Sequence, residues 1–208
     1  MNIKPILLIA ASACFVLGIA GCDTSKYGQV EQGRVVAFDA EKRVVTVVHD
    51  SAIDPIHPVY DTMPAVQFTL PTDPAEVGPL PKAGQRLKLD IEKKQIELYD
   101  IPKANLVYLD IEIVDLQQKI DRTHPLVYDA TAKAAKPFPI IDSEKKTVTV
   151  YSSRQKVLCT FVIPEGYADR NVYPLSTWDA GDEVRIYFKT EGQALRFMNI
   201  SKTDIYKR

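Results

Sequence analysis

Four blocks of residues occur twice in this chain, in the same order and at nearly the same interval. Phe38-Asp-Ala-Glu-Lys-Arg-Val-Val-Thr-Val47 aligns with Ile141-Asp-Ser-Glu-Lys-Lys-Thr-Val-Thr-Val150, with six identities in ten. Gln67-Phe-Thr-Leu-Pro71 then aligns with Thr160-Phe-Val-Ile-Pro164, and Ala83-Gly-Gln-Arg-Leu-Lys-Leu89 with Ala180-Gly-Asp-Glu-Val-Arg-Ile186. Asp100-Ile-Pro-Lys-Ala-Asn-Leu106 and Asn199-Ile-Ser-Lys-Thr-Asp-Ile205 close the series, the four offsets being 103, 93, 97 and 99 residues. Collinear repetition restricts the fold strongly, because both copies must build the same kind of unit. The expectation is a duplicated domain, with units at 33–106 and 137–208.

Each unit reads as strands. Val35 to Phe38 runs into the polar turn Asp39 to Lys42, and Val44 to Val48 returns, a β-hairpin signal with β-branched residues on both sides of the tip. Ala65 to Leu70, Arg86 to Ile91 and Gln95 to Tyr99 follow, so each unit is expected to hold five short strands. Gly84 and Gly181 stand just before a strand, where glycine permits the positive φ of a turn. The fold class predicted is all-β, two tandem five-stranded OB-like small barrels, whose closure protects their strand edges. Between the units, 107–136 is expected to supply a connecting strand at Val107 to Val114 and then a linker, with Ala130 to Lys136 reading as either a short helix or part of that linker.

The N-terminus has the layout of an export signal. Lys4 precedes an uncharged apolar run from Ile6 to Ala20, about 15 residues against the ~20 that a membrane-spanning helix needs. The end of that run, Ile19-Ala20-Gly21-Cys22, resembles the lipobox of bacterial lipoproteins. The resemblance implies a cleaved signal peptide at 1–21, lipid (palmitate) on Cys22 and a lipidated tether at 22–32. An ordinary signal peptide cut beside a cysteine is the other reading. A lipidated chain would be held on a membrane by the acyl chains alone, in the cell envelope and facing the periplasm. Asp23 resembles an inner-membrane retention signal and tilts the expectation to that membrane.

The net charge is −1, and lysines and arginines alternate with acids, so nothing points to nucleic acid. Of three cysteines, Cys14 leaves with the signal peptide and Cys22 carries lipid, so Cys159 has no partner for an internal disulfide. It lies in the alternating run Lys156 to Ile163 and is expected to be a small buried strand residue rather than a reactive thiol. Three histidines, no Gly-x-Ser-x-Gly, no His-Glu-x-x-His, no glycine-rich phosphate loop and no Cys-x-x-Cys-His argue against an enzyme and against a bound cofactor.

The first unit, from Gly33-Arg-Val-Val-Ala-Phe-Asp through Phe68 and Lys82-Ala-Gly-Gln-Arg-Leu87 to Ile101, resembles a periplasmic copper-chaperone domain of CusF type, and 137–205 repeats it. That family is a five-stranded OB-like barrel holding Cu(I) between a histidine, two methionines and a tryptophan. His49 matches the histidine, but Pro64 and Val66 stand at the methionine positions and Asp61 at the tryptophan position, with Met63 one residue out of register. Soft thioethers select Cu(I), and only one is near. The candidate metal ligands are therefore His49, His57 and Met63, with Asp50, Asp54 or Asp61 beside them, a set suited to zinc or Cu(II). Tyr60, Tyr167, Tyr173 and Trp178 fall in the long loops 50–64 and 164–178 and read either as partner contacts or as caps on the barrel ends. The function expected is a membrane-anchored, non-enzymatic module that binds a protein partner, as scaffold or assembly factor. The alternative is copper binding or delivery by the first barrel.

Overall fold

The structure, a computed structural model, describes residues 27–54 and 57–203. The signal segment and Cys22 lie outside the described residues. What is described is all-β apart from short turns and one four-residue helix.

The first unit contributes β1 (Gln29–Asp39), β2 (Val44–His49), β3 (Thr62–Thr69), β4 (Arg86–Asp90) and β5 (Gln95–Asp100). The second contributes β10 (Ile140–Asp142), β11 (Thr147–Ser152), β12 (Val157–Val162), β13 (Glu183–Thr190) and β14 (Gln193–Asn199), followed by α1 (Ile200–Thr203). Between them run β6 (Asn105–Asp110), β7 (Ile113–Gln118), β8 (Tyr128–Asp129) and β9 (Ala134–Ala135). The connecting strand expected at Val107 to Val114 is thus two strands with a corner at Ile111-Glu112. Ala130 to Lys136 is neither a helix nor a plain linker, because β8 and β9 pair there as a small hairpin.

The repeated turns owe their shape to aspartate. Asp39 Oδ1 accepts from the backbone N–H of Glu41 (3.0 Å) and Lys42 (2.9 Å), and Arg43 leaves the turn at φ 56°. Asp142 does the same for Glu144 (3.1 Å) and Lys145 (3.0 Å), and Lys146 leaves at φ 52°. A short side chain that bonds the backbone two and three residues on makes this turn without tertiary help. The closing blocks also begin alike, Asp100 accepting from Lys103 N (3.2 Å) and Asn199 from Lys202 N (3.1 Å), before one copy enters β6 and the other coils into α1.

The strands do not sort by unit. The order β1-β13-β14-β3-β2 forms a closed ring, shut where Gln193 runs parallel to Thr69. Of these, β1, β2 and β3 belong to the first copy, and β13 and β14 to the second. Conversely, β4 and β5 of the first copy, in the sheet β4-β5-β6, share a core with the sheet β10-β11-β12-β7, whose β10, β11 and β12 come from the second copy. There Leu89, Ile96 and Leu98 pack with Val148, Val150, Cys159, Phe161 and Trp178. The two sheets meet at the β6–β7 corner, where Ile111 N donates to Lys94 O and Val162 N to Glu112 O. The tandem arrangement is therefore corrected: each copy gives its last two strands to the other.

Charge explains the direction of the exchange. Across β1 and β13, Arg34 faces Glu183. In the repeat, the residue equivalent to Glu183 is Arg86, so a self-contained first unit would set Arg34 against a second arginine in a buried position. Like charges directly opposite in a sheet are destabilising.

The chains cross at the two Ala-Gly turns. Gln85 bridges Ala180 in antiparallel fashion, Gly84 N donates to Val35 O (3.1 Å) and Val35 N donates to Asp182 O (3.0 Å). A Cβ on Gly181 would overlap the carbonyl oxygen of Val35, and one on Gly84 would lie 2.5 Å from that of Asp179. Positive φ at glycine occurs at Gly166 and Gly192 instead, so the turn role expected for Gly84 and Gly181 gives way to close backbone approach.

Inside the ring lie Val35, Val45, Val47, Phe68, Val184, Ile186 and Phe197. Their neighbours Val36 and Val48 point the other way and join Tyr60, Leu87 and Tyr99 in a third cluster between the ring and the second body. Burial on both faces of β1 and β2 welds the two bodies together.

Candidate cation-lined cleft

Beside that third cluster opens a cleft of about 890 Å³, with walls from both bodies. Six of its lining residues are cations, Arg34, Lys82, Arg86, Lys88, Arg122 and Arg154, against two acids, Glu97 and Asp179. A cleft of this size falls in the range of small-molecule sites.

At the cleft's edge nearest the ring, Arg34 is fully engaged. Its Nη2 lies 3.2 Å from Glu183 Oε2, its Nε donates to Tyr60 Oη (2.9 Å) and its Nη1 to Gly181 O (3.3 Å). Tyr60 Oη donates in turn to Glu183 Oε2 (2.8 Å). Burial raises the Glu183 carboxyl above its usual range, against the opposing pull of Arg34, and its Oε1 has no hydrogen-bond partner among the described residues.

Arg86, at the start of β4, is in a different state. It is 6% exposed, and its Nε donates to Trp178 O (2.8 Å), but among the described residues no carboxylate comes within ion-pair distance. Burial pulls its pKa down to about 10, with Asp179 opposing and Arg34 adding to the effect, so the guanidinium is still charged at neutral pH. An uncompensated buried charge costs several kcal/mol. In the sister copy the equivalent residue, Glu183, is answered by Arg34; the residue equivalent to Arg34 is Pro137, which has no charge to offer Arg86.

The family model of a domain of unknown function, DUF4881, matches residues 26–208. The chain belongs to this family. The DUF4881 domain thus spans both sequence copies, in keeping with strands that are exchanged between them. No curated protein and no solved structure matches the chain.

Within this DUF4881 domain the residues singled out by sequence are scattered. Tyr60, Tyr167, Tyr173 and Trp178 are 4%, 7%, 8% and 1% exposed, which corrects their reading as partner contacts in favour of core caps. Tyr60 joins Arg34 to Glu183. Tyr167 and Tyr173 turn their hydroxyls to buried Asp100, at 2.9 and 3.5 Å, and Lys103 Nζ reaches the same carboxylate at 2.8 Å. Trp178 stands edge-on to Phe161, with ring centroids 5.7 Å apart.

The proposed metal ligands occupy three settings. His49 Nδ1 lies 2.5 Å from Glu31 Oε1, His57 is exposed and lies 3.2 Å from Asp54 Oδ2, and Met63 packs against the third cluster. No group of three or more His, Cys, Asp or Glu side chains placed to hold a metal occurs among the described residues. Cys159 is fully buried with a free thiol, which burial pushes up to about 11.

Sequence reasoning missed the arginines. Their signal was weak: Arg34 stands just before the apolar run Val35 to Phe38, and Arg86 shares the polar phase of its strand with Lys88, where an exposed side chain is the ordinary expectation; a register shift between Arg86 and Lys88 takes Arg86 out of that phase.

Proposed function

We propose that this DUF4881 protein is a lipid-anchored, non-enzymatic binding module of the cell envelope, with the cleft between its two bodies as the binding site. The anchor reading rests on Ile19-Ala20-Gly21-Cys22 after the uncharged run Ile6 to Ala20, with the lipid on Cys22 holding the protein on a membrane, facing the periplasm. Asp23 favours the inner membrane. The binding reading is carried by one observation, the buried Arg86 without a carboxylate partner in a cleft lined by six cations. Guanidinium and ammonium groups that stay charged at neutral pH hold ligands well and exchange protons poorly, which favours capture over catalysis. As scaffold or assembly factor, the module engages an envelope protein around this cleft.

The finer fold reading belongs with this. In the ring, the first three strands of one copy close on the fifth and fourth of the other, the neighbour order of an OB-like barrel with exchanged strands. The second body follows the same scheme with β6 and β7 inserted, and together they make two interlocked OB-like units. Copper binding by the first unit has no comparable support, since His49, His57 and Met63 stand in separate settings.

The anchor is tested by labelling cells with radioactive palmitate while expressing the wild-type chain or Cys22→Ser. Label on the wild type alone, with the variant released from membranes, is the expected result; equal labelling would remove the anchor. Cross-linking in intact cells tests the binding role. An enriched envelope protein lost on Arg86→Gln supports it, and the same cross-links from Arg86→Gln refute it.

A further inference from the structure

We infer that the cleft binds a small organic or inorganic polyanion whose carboxylate or phosphate oxygens seat on Arg86. This rests on reading the cleft as the binding site and goes further, naming the chemistry of what enters it. The two copies supply the argument. At the ring end, the charge on Glu183 is answered by Arg34 from within the chain, 3.2 Å away. In the other body, Arg86 is equally buried and bonded to Trp178 O, yet the residue that aligns with Arg34 is the uncharged Pro137. A guanidinium fork matches carboxylate and phosphate oxygens two at a time.

The rest of the cleft fits such a ligand. Lys88, Arg122 and Arg154 are exposed at its margin, while Leu87 and Leu89 are buried beside Arg86 on the same strand, and Ser152 and Ser153 add hydroxyls. The excess of cations therefore surrounds the buried Arg86, which has no acid within ion-pair distance among the described residues, in a concave space of small-molecule size. An extended macromolecular polyanion would call for a basic stripe along an open face; here the cations line the walls of one cleft.

Isothermal titration of the full-length protein in detergent, with pyrophosphate and with citrate as probes, decides the matter. One-to-one binding of either is expected, weakened at least tenfold by Arg86→Gln and severalfold by the double change Lys88→Ala, Arg122→Ala, and unchanged by Lys189→Ala, which lies outside the cleft. Pyrophosphate alone would identify a phosphate ligand, and citrate alone a carboxylate ligand. Because Arg86→Gln alters a buried site, the exposed double variant carries the test if that protein fails to fold. Binding that survives both cleft variants overturns the inference, as does no binding of either probe. If a glutamate-rich peptide binds at the cleft where the small anions do not, this inference falls and the protein-binding role stands.

Discussion

Arg34 and Glu183, which come from different copies of the repeat, face each other across β1 and β13 and form a buried ion pair at 3.2 Å, with the Tyr60 hydroxyl bonded to both. This pair is where the exchange of strands becomes a chemical necessity. Removing one partner leaves the other charged and buried. Glu183→Ala is expected to cost roughly 3–5 kcal/mol in equilibrium urea unfolding, whereas replacing both partners with Arg34→Met and Glu183→Leu should recover most of the loss. A loss under about 1 kcal/mol for the single change would show that the pair does not hold the ring together.

The crossing point of the two copies leaves no room for a side chain. Gly181→Ala must push the Val35 carbonyl aside, and Gly84→Ala the Asp179 carbonyl. Each is expected to destabilise by more than about 2 kcal/mol in the same unfolding experiment. Gly78→Ala is the control, because its nearest contact would be an ordinary 3.4 Å. Equal stability of all three variants would place the crossing elsewhere.

Strand exchange makes the halves interdependent. A chain ending at Asp110 would hold β1 to β3 without the strands that close their ring, and the remainder would hold β10 to β12 without β4 and β5. Each half alone should lack cooperative unfolding and near-ultraviolet circular dichroism, and mixing the halves should restore both. Independent folding of either half would return the tandem arrangement.

Cys159 gives a pH test with a definite sign. Its folded pKa is raised from 9.0 to about 11 by burial, so the unfolded chain loses the proton first. The stability it contributes is complete below pH 9 and is lost as pH rises from there toward 11, by at most about 3 kcal/mol. Comparing the wild type with Cys159→Val across that window isolates this thiol from the other groups that titrate there. Parallel stability curves would mean that the thiol is not buried, and rapid reaction with a thiol reagent at neutral pH would say the same.

Much of the local structure could be read from residues alone, for a reason visible at Asp39 and Asp142. A turn made by one carboxylate and two backbone N–H groups within three residues needs nothing else, and the alternating runs on either side supply their own strands. The positions of the five strands in each copy, the β-class and the burial of Cys159 follow from such short-range signals. The loop aromatics were ambiguous because a tyrosine suits an interface as well as a core. Only the sight of Tyr60 on Glu183 and Tyr167 on Asp100 decides for the core.

By itself, then, the order of residues determined that four blocks recur in strand-forming sequence, where the hairpins turn and that Cys159 lies in an alternating strand run. Tertiary structure decided which copy's strands pair with which, since both copies present nearly the same edges and the choice turns on contacts far apart in the chain, such as that of Arg34 with Glu183. It also decided the site. Arg34 and Arg86 are alike in sequence, each a cation at the start of a strand run, but pairing gives Arg34 a carboxylate at 3.2 Å and leaves Arg86 facing the cleft with none in ion-pair distance among the described residues.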